Sequence, residues 1–122
     1  MAESLNIYLR KRKTGPKGPG HGFLPGQYWD IMLPGRRAPI GFVGYIKNPV
    51  MKAKGVQVYL VPKYRGKGLA TRAEDMLAEQ LGVESWYAAV SETNEASQRA
   101  HKRAGWRPAQ RVLVKSYDNP PS

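Results

Sequence analysis

The feature that most constrains the fold is an apolar strand that runs through a glycine-rich turn directly into a helix. The segment Val56-Gln-Val-Tyr-Leu-Val predicts a buried strand, and the turn Lys63-Tyr-Arg-Gly-Lys-Gly68 follows it. A helix is predicted from about Gly68 to Leu81, and Gly82 supplies a left-handed stop. One apolar stripe defines this helix: Leu69, Ala73, Met76, Leu77 and Leu81.

The remaining elements follow from alternation and from Gly/Pro punctuation. Strands are predicted at 5–9, 28–33, 40–46, 85–90 and 112–117, and a second helix begins after Asn94 and ends at Gly105. This order predicts an α/β fold with a single mixed, mostly antiparallel sheet, a central β-α-β crossover and helices on the sheet faces. We expect one domain over residues 1–122, with a flexible Gly/Pro loop at 14–26 and a tail at 118–122.

Charge narrows the set of partners. The net charge is +11, and residues 1–60 contribute +8 of it, from ten Lys and Arg against Glu3 and Asp30. Such a field attracts anions such as nucleic acid, acidic protein or a polyphosphate cofactor, and it disfavours polycationic substrates. The absence of cysteine excludes disulfides and thiolate metal sites. No segment has the length of a membrane span or a secretory signal, so we expect a cytoplasmic protein.

The turn before the first helix has the physical features of a pyrophosphate site. The N–H groups of a first helical turn point at one spot, and the helix dipole adds positive charge there. Gly66 and Gly68 allow close approach of an anion, and Arg65 and Lys67 add formal charge. The turn matches neither the dinucleotide fingerprint, since Thr71 stands where a third glycine is needed, nor a Walker loop.

Two separated signatures resemble those of the GNAT acyltransferase family. The first is the turn itself, in which Arg65, Gly68 and Ala70 fill the family core Arg/Gln-x-x-Gly-x-Gly/Ala. The second follows the next strand, with Asn94, then Ser97, and then the pair Gly105-Trp106. The resemblance covers about half of the chain, and residues 1–50 match only as leading strands. The family has one or two helices between its first two strands, so this chain resembles a member with a shortened N-terminal part.

The resemblance implies acetyl-CoA as cosubstrate and no metal. It implies that the amides from Arg65 to Thr71 bind the pyrophosphate, that the backbone of β-strand residues 59–61 pairs with pantetheine, and that one backbone N–H there polarises the thioester carbonyl. Asn94 and Ser97 would line the other side of the pantetheine arm. The implied cofactor-binding residues are Tyr59, Leu60, Val61, Arg65, Gly66, Lys67, Gly68, Leu69, Ala70, Thr71, Asn94, Ser97 and His101.

Position 101 departs from the family, which has a tyrosine there as the acid that protonates the leaving thiolate. His101 is the candidate for this role, because an imidazole of ordinary pKa near 6.5 can donate that proton; the alternative is a solvated surface histidine. The strand that carries a glutamate base in many members offers Gln57 and Tyr59 here. Glu92 is a weak candidate base by position, as is Asp30, and we assign none.

The leading functional hypothesis is transfer of acetyl to an amine on an acidic macromolecule, either a protein or a nucleic-acid-linked amine. It rests on the charge of residues 1–60 beside a coenzyme A motif. The alternative is a basic nucleic-acid-binding module on a degenerate GNAT fold. A third hypothesis, detoxification of a cationic drug, lacks an acidic or aromatic pocket in the sequence. The resemblance also leaves pairing into a homodimer through the last strand as an expectation.

Overall fold

The structure is a computed structural model, and it describes residues 5–16, 25–47, 54–88 and 94–108. A 3-10 turn at Pro62–Tyr64 separates the fourth strand from the first helix. The strands are β1 (Tyr8–Lys11), β2 (Gly26–Met32), β3 (Gly41–Lys47), β4 (Lys54–Leu60) and β5 (Tyr87–Ala88), and the helices are α1 (Leu69–Leu81) and α2 (Glu95–Arg103).

The five strands form one sheet in the order β1-β2-β3-β4-β5. The pairs from β1 to β4 are antiparallel, and β5 lies parallel to β4 with Gly55 opposite Tyr87 and Val56 opposite Ala88. The chain therefore makes short antiparallel connections first and a helical crossover through α1 afterwards. The predicted mixed sheet with its β-α-β unit is confirmed.

The core lies between one face of this sheet and α1. Period-two alternation along the strands and the stripe of α1 bring eleven buried side chains into one cluster. They are Ile7, Trp29, Ile31, Ile40, Val43, Val56, Leu60, Tyr64, Leu69, Ala73 and Leu77. The cluster fixes α1 over the central strands, and so it fixes where the turn before α1 stands relative to the end of β4.

The opposite sheet face carries a different set of side chains. Strand register places Arg10 opposite Asp30, Asp30 opposite Phe42, and Phe42 opposite Tyr59. These four residues form one row across β1 to β4, and Asp30, Phe42 and Tyr59 each stand next to a residue of the core cluster.

Element boundaries differ from the sequence prediction mainly at β1. The predicted strand at 5–9 lies at Tyr8–Lys11, and β2 begins at Gly26, inside the predicted 14–26 loop. Residues 17–24, the predicted strand at 112–117, the tail at 118–122 and the last two residues of the predicted strand at 85–90 lie outside the described residues. In the described part of the chain, neither helix has the length and apolar content of a membrane span.

Candidate functional site

The turn between β4 and α1 is held in a backbone conformation that requires glycine. Gly66 has φ of 79° and Gly68 has φ of 75°, a region that costs other residues about 1–2 kcal/mol. A Cβ atom added at either glycine would meet no atom within 4 Å. The space above the turn is therefore open, and the two glycines are needed for the backbone path.

Within the part of the chain that the structure describes, the N-terminus of α1 has neither a side-chain cap nor an acidic residue beside its positive end. Gly68 is the N-cap and brings no side-chain hydrogen bond, and the first turn contains no acidic residue. α2 is the opposite case, because the Asn94 side chain accepts from the Ser97 N–H at 3.1 Å and Glu95 lies in its first turn. Helix N-termini normally satisfy their amides and dipole in this second way. In α1 neither a capping side chain nor an acidic residue of the first turn does so.

The predicted amide cradle is one residue shorter than expected. The Arg65 N–H donates to the Pro62 carbonyl at 3.1 Å, so it belongs to the 3-10 turn. Arg72 is the first residue of α1 whose N–H reaches back, donating to the Gly68 carbonyl at 3.2 Å. Leu69, Ala70 and Thr71 lie in the first helical turn, where an α-helix offers their N–H groups no acceptor. These amides, with those of Gly66 and Lys67, are the candidate anion donors.

Cationic side chains surround this turn. Lys63, Arg65 and Lys67 are exposed. Lys63 and Arg36 also lie over the buried Tyr64 ring, at 5.4 Å and 5.5 Å from its centroid. Formal positive charge therefore adds to the helix dipole at the same place, as a diphosphate group requires.

Fewer backbone groups of β4 and Val61 are available to pair with a cofactor than the sequence predicted. The Val61 N–H donates to the Ile40 carbonyl at 2.8 Å, so Val61 faces β3. Tyr59 lies two residues earlier and faces the same way, because backbone direction alternates along a strand. Leu60 faces the side of β5, and its carbonyl accepts from Arg65 Nε at 2.9 Å. Of the three predicted residues only Leu60 turns its backbone toward that side. The predicted gap between β4 and β5 lies beyond the described end of β5.

His101 is buried between the two helices, which rules out the alternative of a solvated histidine. The His101 side chain is 11% exposed, and its Nε2 lies 3.0 Å from Oε2 of Glu74, whose side chain is 1% exposed. His101 Nδ1 lies 2.7 Å from the Ser97 carbonyl, and the ring meets Trp106 edge-on at 5.2 Å. Asn94 and Ser97 are thus carried by a helix that is joined to α1 through a buried polar pair.

The contacts of the Glu74–His101 pair fix its protons. A carbonyl only accepts, so Nδ1 carries a hydrogen and donates to Ser97. A second proton lies between Nε2 and Glu74 Oε2, because two lone pairs would repel each other at 3.0 Å. The hydrogen bond to Glu74 raises the pKa of His101, and burial raises the pKa of Glu74. Both ring nitrogens therefore have protein partners, and this geometry favours a structural role; the role of His101 as acid stays a prediction.

Glu74 is the residue of this buried pair that the sequence analysis missed. It borders the apolar stripe of α1 one residue after Ala73, which is the only signal that it could be buried. Its other carboxyl oxygen, Oε1, is buried without a hydrogen-bond partner among the described residues. A carboxyl group in this position depends on His101 for its stability.

The candidate bases do not form a site. Asp30 is buried and accepts from Arg10 at 2.9 Å and from Arg12 at 2.8 Å, so both of its carboxylate oxygens are already engaged by guanidinium groups. On β4, Gln57 accepts from the Tyr28 hydroxyl at 2.9 Å, and burial raises the pKa of Tyr28, which keeps it protonated. Glu92 lies outside the described residues. The described residues contain no group of three or more His, Asp or Glu side chains that could hold a metal ion.

Solved structures of other proteins share the fold of this chain. The chain is similar to YycN from Bacillus subtilis, described as a candidate acetyltransferase, with 18% identity and a TM-score of 0.55 over 76% of this chain and 62% of that protein. It therefore spans less than two thirds of the length of that relative. A ribosomal-protein-alanine N-acetyltransferase from Brucella melitensis biovar Abortus 2308 aligns with 19% identity and a TM-score of 0.48, over 75% of this chain and 73% of that one. No curated protein gave a significant match.

The likeness to YycN shows the fold, and the sequence profile of a family shows the membership. The profile of the acetyltransferase (GNAT) family matches residues 11–106, which include the turn before α1 and the whole of α2. The chain belongs to the acetyltransferase (GNAT) family.

Proposed function

We propose that the chain is an acetyl-CoA-dependent N-acetyltransferase that transfers acetyl to an amine on an acidic macromolecule. The observation that carries the proposal is the N-terminus of α1, which lacks both a capping side chain and an acidic residue beneath an open, basic turn. Capping groups and negative charge at a helix N-terminus stabilise a fold, and a bound anion would supply the stabilisation that this helix lacks.

The residues of the turn fit the diphosphate of coenzyme A. The amides from Gly66 to Thr71 would donate to the phosphate oxygens, and Lys67 would add charge from the exposed side. Arg65 acts in a second way, because its Nε already donates to the Leu60 carbonyl. That bond holds the guanidinium across the end of β4, where the acyl end of the cosubstrate would lie.

Acetyl-CoA would supply a thioester: the lone pair of the acceptor amine would form the new C–N bond, the C–S bond would break, and coenzyme A would leave as a thiolate that takes up a proton to give the free thiol. The chain would orient the thioester through β4 and offer a backbone N–H to the carbonyl oxygen as negative charge develops there. No described carboxylate is placed as a base. We therefore propose that the amine reacts in its neutral form and that its proton leaves to solvent.

The charge distribution supports the acceptor class. Residues 1–60 carry +8, and a field of this size raises the local concentration of polyanions over a Debye length of about 8 Å. Small polycations such as polyamines would be repelled by the same field.

The test is release of free thiol from acetyl-CoA in the presence of peptide, oligonucleotide and small-amine panels at low and moderate salt. The proposal predicts release with acidic macromolecular acceptors and a rate that falls as salt rises. Thiol release that equals the no-acceptor rate across all panels would refute it. The nucleic-acid-binding alternative predicts binding of oligonucleotides with that same absence of thiol release.

A further inference from the structure

A row of arginine and aromatic side chains crosses the sheet face opposite α1. We call it the arginine–aromatic row; it consists of Arg10, Arg12, Asp30, Phe42, Tyr59 and Arg65. Phe42 and Tyr59 stack with ring centroids 6.5 Å apart at 20°. The row runs from the edge strand β1 to the end of β4.

Asp30 orients the two arginines at the β1 end of the row. Its Oδ2 accepts from Arg10 Nη2 at 2.9 Å, and its Oδ1 accepts from Arg12 Nη1 at 2.8 Å. One buried carboxylate thus faces two guanidinium groups whose side chains are 55% and 26% exposed. Positive charge is left over at the surface, on groups whose direction is already fixed.

The aromatic rings of the row are covered by the chain's own cations. The Arg12 guanidinium lies 5.0 Å from the Phe42 centroid, and that of Arg65 lies 5.5 Å from the Tyr59 centroid. Proteins that bind single-stranded nucleic acid stack bases on open aromatic faces, whereas here a guanidinium lies over each of the two rings. A guanidinium stacked on a ring still presents its N–H edges, which match carboxylates and phosphates alike, so only base stacking is disfavoured by the covered rings. The row therefore fits an acidic peptide better than a nucleic acid.

The row reaches the candidate cofactor site at its β4 end. Arg65 belongs both to the row and to the turn before α1, and its Nε is bonded to Leu60. Three strand spacings separate β1 from β4, about 14 Å. We propose that the arginine–aromatic row is the acceptor-binding surface and that its partner is an acidic segment of a protein. The acyl-transfer part of this inference rests on the proposed function; the binding part does not.

The geometry sets where the acidic residues of the acceptor must be. The amine reacts beside Leu60, and the Arg10–Arg12 pair lies two to three strands away, about 10–14 Å. An extended peptide advances about 3.3–3.6 Å per residue. An acceptor carboxylate should therefore follow the reactive amine by three or four residues.

The experiment uses the full chain and peptides with one free N-terminal amine. Two glutamates are placed either three and four residues after the amine or nine and ten residues after it, with equal net charge. Binding is measured by fluorescence anisotropy without acetyl-CoA, transfer by thiol release, and acetyl-CoA binding separately by calorimetry. The variants are Arg10→Gln, on an exposed side chain, and Arg12→Lys, which keeps the charge and loses the planar fork. Lys13→Gln removes an equal charge from an exposed residue outside the row.

The near placement of glutamates should bind more tightly than the distant one. Arg10→Gln and Arg12→Lys should each raise the Kd and KM of the peptide with near glutamates by roughly ten-fold or more. Lys13→Gln should raise them by about two-fold at most. Equal affinity for both placements, an equal effect of Lys13→Gln, or preference for an amine-bearing oligonucleotide through the same arginines would overturn the inference. Peptide binding with the predicted pattern but no thiol release would instead refute only the proposed function.

Discussion

His101→Phe should destabilise the fold strongly, because it leaves a carboxyl group buried between two helices without a partner. Glu74 is 1% exposed, and Oε2 has His101 Nε2 as its hydrogen-bond partner at 3.0 Å. Phenylalanine keeps a flat aromatic ring at this position but has no hydrogen-bond donor. The Glu74 carboxyl must then be protonated in an apolar site or expelled together with part of α1.

The size of the effect depends on which partner is removed. Breaking a buried ion pair from one side costs about 3–5 kcal/mol, and this applies to His101→Phe, which strands Glu74. Glu74→Leu strands only one nitrogen of a neutral imidazole, since Nδ1 still donates to Ser97, and should cost about 1–3 kcal/mol. The double variant replaces both groups by apolar ones. Its free energy of unfolding should lie within about 1 kcal/mol of the parent value or exceed it.

The pair also gives the fold a pH dependence of known sign. The hydrogen bond to Glu74 raises the pKa of His101 above its ordinary value of 6.5, and burial raises the pKa of Glu74. Both groups therefore bind protons more tightly in the folded chain. The His101 contribution is complete below 6.5 and is lost as pH rises through the raised value. The free energy of unfolding should fall from pH 6.5 upward in the parent, and less steeply in the double variant.

Urea unfolding of the parent, both single variants and the double variant, repeated between pH 5 and 9, measures all of these quantities. In thermal unfolding, His101→Phe should lower the melting temperature by on the order of 10–20 °C. Additive effects in the double-mutant cycle, or parallel pH profiles for parent and double variant, would refute the buried pair. The double variant also tests the acid role of His101: if it folds and turns over at the parent rate, the imidazole does not protonate the thiolate.

Three further changes test the site and its surroundings. Gly68→Ala forces φ of 75° on alanine, which should cost about 1–2 kcal/mol of stability and weaken acetyl-CoA binding. Gly15→Ala, at a position where φ is not positive, should do neither. Melting curves measure the stability, and calorimetry measures the binding. Asn94→Ala removes the cap of α2 and should cost about 1 kcal/mol in urea unfolding, with Asn94→Asp close to the parent. Asp30→Asn leaves Arg10 and Arg12 without their shared carboxylate and should cost about 1–3 kcal/mol in the same measurement.

The fold was predictable from the sequence because its signals are local. Alternation identified β2, β3 and β4 to within two residues, and Gly82 and Asn94 mark helix ends that the structure confirms. β1 was predicted too early, because the charges of Arg10 and Lys11 interrupt the apolar alternation. The register places Arg10 opposite Asp30, which explains why an arginine belongs inside this strand.

The site was predictable only as a motif. Glycine spacing locates the turn, but the direction of the Val61 amide depends on its pairing with Ile40, which a single strand does not reveal. Burial of Glu74 could not be predicted for a similar reason. Its partner His101 lies 27 residues away on another helix, and a glutamate beside an apolar stripe is normally solvated.

Calorimetric titration of acetyl-CoA into the full chain at low salt tests the central claim most directly. We expect one acetyl-CoA to bind per chain, with an affinity that weakens as salt rises and is impaired by Gly68→Ala but not by Gly15→Ala. A flat titration with the folded parent protein, or equal binding by Gly68→Ala and the parent, would contradict the assignment of the α1 N-terminus as the cofactor site.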